Sequence, residues 1–196
     1  MFNQSYITTL KKLLGNAEIV EKSDRIQVYD GVDIIYSLVS EAEHYSILIS
    51  ERGTVSTFCK IQEPKLAQLY FAIFVKNGLA DVEFPLLSKL EGLAEDTDTL
   101  QDLFNQEGLA PYYSVDSVET QRINVSTDTK RLYYVDASDF EYDIAYLPNR
   151  FHQIFYSSVV SLRNRLEWLT ELADYSDDIQ KYEATLLGFS LEGIIK

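Results

Sequence analysis

Apolar positions in "SYITTLKKLL" recur at helical spacing, putting Tyr6 or Ile7, Leu10, Leu13 and Leu14 on one face, with Ser5 as N-cap and Gly15 as stop. That helix is expected to lie on the sheet that follows. From Glu18 to Lys60 the period changes to two: "RIQVY", "VDIIYSLV", "YSILIS" and "TVSTFCK" are separated by Asp30-Gly31, Glu41-Ala42-Glu43 and Arg52-Gly53. Short connections of this kind predict an antiparallel meander of three or four strands. "EPKLAQLYFAIFVKNGL" then returns to helical spacing, with Pro64 suited to a first turn and Gly78 placed as a terminator. Its stripe of Leu66, Leu69, Tyr70, Ile73 and Phe74 is widened by Ala67, Phe71, Ala72 and Val75. A helix buried on more than one side follows.

After Ala80 the polarity rises. "DTDTLQDLFNQEGL" carries Leu100, Leu103 and Phe104 at helical spacing and ends in Gly108, predicting a short acidic helix. "ETQRINVST" and "KRLYYVD" predict a second hairpin around Thr127 to Thr129, and the alternation in "FEYDIAYL" predicts a third strand with a mixed face. From Asn149 to about Tyr175, Phe155, Val159, Leu162, Leu166, Leu169 and Ala173 mark a helix of roughly 25 residues, or about 37 Å. Residues 176–196 are expected to add another short helix. With no repeat and no linker visible, the pattern predicts a single α+β domain over 1–196: an antiparallel meander near the N-terminus packed by helices, a second small hairpin region and a long C-terminal helix.

Composition supports a folded chain. A hydrophobic content of 46% over 196 residues is enough for a substantial core, and 13% aromatics argue against disorder. No run approaches the roughly 18 apolar residues of a membrane-spanning helix, and "MFNQSYITTLKKLLGN" has no cleavable apolar core. A cytoplasmic protein is expected. The charge is uneven: over residues 81–146 four Lys or Arg stand against fifteen Asp or Glu, which places -11 of the total -14 in one third of the chain. Such acidity repels nucleic-acid phosphate and anionic membrane, so neither is an expected partner. A cationic protein is the natural complement, because concentrated charge speeds encounter, although solubility alone accounts for the same composition.

Catalytic chemistry is sparse. A lone cysteine, Cys59, excludes an internal disulfide and a multi-cysteine zinc site, and suits a small core position in a strand. His44, in an expected strand, and His152, at the start of the long helix, have neither a nearby cysteine nor HExxH spacing. There is no GxSxG elbow, no Walker loop and no GxGxxG after a strand. Asp136, Asp139, Glu141 and Asp143 supply hard oxygen ligands, but Phe140 and Tyr142 fill the gaps and the glycine of a calcium loop is missing. Glu141 and Asp143 share a strand face, as paired carboxylates for acid–base work would, yet no sugar-binding cleft is legible. No enzyme, metal or cofactor is expected.

What remains is "RLYYVDASDFEYDIAYLPNR", Arg131 to Arg150, where Tyr133, Tyr134, Tyr142 and Tyr146 stand among the four acids. On a strand, one of Tyr133 and Tyr134 must face away from the core. Rigid aromatic rings bordered by charge are what tight protein interfaces use. A partner-binding surface is therefore placed within residues 94–146, at Tyr134, Asp136, Asp139, Glu141, Tyr142, Asp143 and Tyr146, with Asp98, Asp102, Tyr112 and Tyr113. Tyrosines that cap a core edge with their hydroxyls in water give the same pattern.

In "SERGTVSTFCKIQEPKLAQLYF" a strand ending at Arg52-Gly53 is followed by a second strand and a helix. By this stretch and its acidic α+β character, the chain resembles the immunity proteins of bacterial polymorphic and contact-dependent toxin systems. The resemblance implies a non-catalytic cytoplasmic inhibitor, monomeric when free, that covers a cognate and basic toxin domain, often a nuclease or an NAD-degrading enzyme. It carries over no site residue. An adaptor or regulatory subunit of a larger assembly is the alternative, and an enzyme of unrecognised type a third.

Overall fold

The computed structural model describes residues 2–31, 33–90 and 97–196, apart from the side chains of 97, 98 and 148. The fold is α+β. The chain divides into two compact units, Met1–Asp81 with Trp168–Lys196, and Val82–Glu167. Neither boundary carries a proline- or glycine-rich linker, so the division is not legible in the sequence.

In the first unit, α1 (Gln4–Leu14) buries the expected face, but its N-cap is Asn3 rather than Ser5. The Asn3 side chain accepts the Ser5 N–H at 2.9 Å, which satisfies one of the first-turn donors left unpaired by the helix. Five strands follow: β1 (Glu18–Glu21), β2 (Arg25–Tyr29), β3 (Ile34–Ser40), β4 (Tyr45–Glu51) and β5 (Thr54–Ile61). All pair antiparallel with their neighbours, one strand beyond the meander of three or four. Between β4 and β5 the register slips, Ile47 facing Cys59 and Leu48 facing Thr57, so Phe58 is an extra, bulged residue.

Helix α2 (Pro64–Leu79) begins with Pro64 at its first turn, and the Glu63 carboxylate accepts the Leu66 N–H. It packs against β3, β4 and β5 on one side and α1 on another, which explains its apolar circumference. Helix α1 packs against α2, tied there by the Tyr6 hydroxyl donating to the Gln68 carbonyl at 2.9 Å. Buried Ile26, Leu38, Ile47, Cys59 and Ile61 complete this core.

The second unit holds α3 (Leu87–Leu90), α4 (Thr97–Gln106) and a four-stranded sheet of β6 (Tyr113–Val115), β7 (Arg122–Ser126), β8 (Arg131–Val135) and β9 (Glu141–Asp143), in that order. The expected hairpin and third strand are β7, β8 and β9. Strand β6, parallel to β7, has no counterpart in the sequence pattern. Phe104 of α4 sits in an aromatic cluster, with ring centroids 5.4 Å from Tyr113, 4.9 Å from Phe155 and 5.4 Å from Tyr156. The last two belong to α5 (Phe151–Leu172), the expected long helix, entered through a 3-10 turn at Pro148–Arg150. The chain closes in the first unit with α6 (Glu183–Leu187), packed on α2, and β10 (Ile194–Ile195), which pairs with Ile61 and Lys60 of β5.

Candidate protein-binding surface

Strands β8 and β9 set Tyr133 opposite Asp143, Tyr134 opposite Tyr142 and Val135 opposite Glu141. Facing residues of an antiparallel pair share a sheet face, so Tyr133, Asp143, Val135 and Glu141 lie together. Arg131 closes over them. Its guanidinium donates to Glu141 Oε2 at 2.5 Å and to Asp143 Oδ1 at 2.6 Å, and lies 4.4 Å from the Tyr133 ring centroid. The expectation that one of Tyr133 and Tyr134 turns outward fails for this reason: Tyr133 is 6% exposed under the arginine, and Tyr134 is 0% exposed on the other face. Tyr134 is thus a core residue, its ring 6.3 Å from that of Tyr142.

The loop between the two strands is built by Asp136. Its Oδ1 accepts the backbone N–H groups of Ser138 at 2.8 Å and Phe140 at 3.0 Å, and its Oδ2 accepts the Tyr142 hydroxyl at 3.0 Å. An aspartate bonding its own backbone further on makes an Asx turn, which fixes the loop locally. Asp139 takes the left-handed conformation at φ +64° and stands exposed. Phe140 follows at 62% exposure, packed on one side against Tyr142 with ring centroids 4.8 Å apart. The outcome is an exposed phenyl ring on a pinned turn, with carboxylates on both sides.

The remaining candidates fall elsewhere. Tyr146 donates its hydroxyl to the Lys130 carbonyl and packs edge-on against Phe151. Tyr113 is buried, donating to Asn105 Oδ1 at 3.0 Å; burial, and then the charge of Asp102, push its hydroxyl pKa up. Tyr112 is half-buried and Asp102 exposed, while the Asp98 side chain lies outside the described residues. Strands β6 and β9 are the two outer strands of the sheet, about 14 Å apart at the usual strand spacing. The candidates therefore form two groups and not one cluster. Phe140 and Arg131 are the residues of this candidate surface that the sequence pattern passes over. Aspartate and serine between two strands signal an Asx turn, which places Phe140 where the turn closes, opposite Asp136.

His44 lies in the β3–β4 connection, not in a strand, with Nε2 2.8 Å from Glu41 Oε2. The His152 ring packs edge-on against Phe151. Cys59 is buried, which pushes its thiol up to about 11 and keeps it in the unreactive protonated form. Among the described residues no group of His, Cys, Asp or Glu side chains is arranged to hold a metal ion, and no helix is long and apolar enough to cross a membrane. Comparison with known protein families, characterised proteins and solved structures gives no match. An aromatic anchor with acids around it can fill an apolar recess in a partner while the acids meet cations at the rim.

Proposed function

We propose that the protein is a non-catalytic inhibitor of the immunity-protein type, which binds and blocks a basic toxin domain through the β8–β9 loop. The observation that carries this is Phe140: a large apolar ring held exposed on a pinned turn, within the segment that contains most of the excess negative charge. Burying that ring on a partner recovers apolar area, and the pinned loop loses little conformational freedom on binding. The Arg131 fork alters which acids steer. Glu141 and Asp143 are held by an internal cation, so Asp139 is the freer charge at the loop tip.

The test is capture of partners from the source organism with the wild-type chain, Phe140→Ala and Asp139→Lys, followed by identification of what is retained. One small basic protein is expected. Phe140→Ala should weaken its binding by about 2 kcal/mol, a typical loss for a central aromatic anchor. Asp139→Lys should slow association, the more so at low salt, with little change in dissociation. A multi-subunit complex retained equally by all three chains would instead make the protein an adaptor.

A further inference from the structure

The two sheets present four outer edges, and three are blunted in the ways that keep strands from pairing with other molecules. β1 begins and ends in glutamate, β9 is three residues long with Glu141 and Asp143 on it, and β6 is three residues long with Tyr113 and Ser114 buried. β5 differs. Its first five residues, Thr54–Phe58, are all exposed, and carry no charge and no proline. Among the described residues the only strand on its outer side is β10, which covers Lys60 and Ile61 alone. Four of the seven large apolar side chains exposed among the described residues lie on these two strands and the turn into β10: Val55, Phe58, Leu191 and Ile195. An open row of backbone donors and acceptors and a concentration of exposed apolar groups thus coincide.

We propose that residues 54–58 of β5 pair antiparallel with the same residues of a second copy of the chain, joining the two sheets edge to edge. The occupant is set by the strand's own chemistry. Being uncharged, it meets its duplicate without like-charge contact, whereas a copy approaching any of the acid-bearing edges is repelled. A two-fold axis normal to the sheets must bring residues of the same face together, which allows only registers centred on a residue. Centred on Ser56, the pairing sets Val55 against the partner's Thr57, two β-branched side chains suited to cross-strand packing. β10 and the Phe58 bulge limit its length, and with the other edges blunted the assembly closes as a dimer instead of growing. The pairing is independent of the inhibitor reading, and it departs from the free monomer that the toxin-system resemblance implies.

Sedimentation equilibrium over two decades of concentration tests this, with an expected rise from 22.5 kDa toward twice that mass. Ser56→Lys, which places like charges across the axis, should weaken self-association about fivefold. Unfolding curves check that this variant keeps its fold. Ser56→Cys gives a second, independent reading: mild oxidation should join two copies covalently, which the buried Cys59 of the wild type does not allow. A wild-type chain that stays at 22.5 kDa throughout overturns the proposal and leaves the edge to a foreign strand. A dimer unaffected by Ser56→Lys, or not captured by Ser56→Cys, overturns it as well.

Discussion

A β-carbon on Gly78 would stand 2.9 Å from Cζ of Tyr36, whose ring is buried and packed edge-on against Phe74. Gly78 is thus inside α2, which runs on to Leu79, and its role is to let β3 and α2 approach, not to stop the helix. Gly78→Ala gains about 1 kcal/mol of helix propensity but meets an overpacking cost of about 1–3 kcal/mol. Net destabilisation is expected in urea unfolding, with part recovered when Tyr36→Phe removes the hydroxyl nearest the added methyl. A stabilised Gly78→Ala chain would refute the close-packing account. The same lesson holds for Arg131, whose partners Glu141 and Asp143 lie 10 and 12 residues away in sequence. Composition shows the charges at these positions, but only pairing of β8 with β9 shows that they satisfy one another.

At the scale of elements, spacing identifies α1, α2, α4 and α5 because helix-forming patterns are local. The strands of the meander are legible for the same reason. β6 and β10 are too short to show a period, and each exists because a neighbouring strand offers it partners: β7 for β6, β5 for β10. The β8–β9 loop is an element of another sort, held by one side chain. Asp136→Ala should cost about 1–2 kcal/mol in chemical denaturation, since two backbone donors and the Tyr142 hydroxyl lose their acceptor. Asp136→Asn, which keeps one carbonyl oxygen, should cost less. Faster hydrogen exchange at Ser138 and Phe140 is the direct readout, and unchanged protection at both amides in the alanine variant would show that the turn does not depend on Asp136. The position belongs to the sequence-derived binding set, yet its structural role is to aim Phe140.

Across the whole molecule, burial raises the hydroxyl pKa of Tyr6, Tyr36, Tyr113, Tyr133 and Tyr156, with burial the leading cause at each, and holds the Cys59 thiol at about 11. The folded values lie above the unfolded ones, so the unfolded chain releases these protons first as pH rises. The linked stability is intact below the unfolded pKa values and is lost above about pH 9, first through the cysteine and then through the tyrosines, whose unperturbed pKa is about 10. Denaturation at stepped alkaline pH should show this fall, and tyrosine absorbance should show a late ionisation step that coincides with unfolding. If all 14 tyrosines titrate together in the folded chain, the account fails.

Taken by itself, the sequence determined the type of each long element, the α+β class and the location of the acid excess. These follow from side-chain period and composition, both of which are local quantities. Tertiary structure alone decided that two units form, that Tyr133 and Tyr134 are both buried, and that α1 rests on α2. It also decided that, among the described residues, β10 pairs only with Lys60 and Ile61 of β5. Each of these depends on contacts between residues distant in the chain, such as Tyr6 with Gln68, and a local pattern carries no information about which distant partner closes the loop.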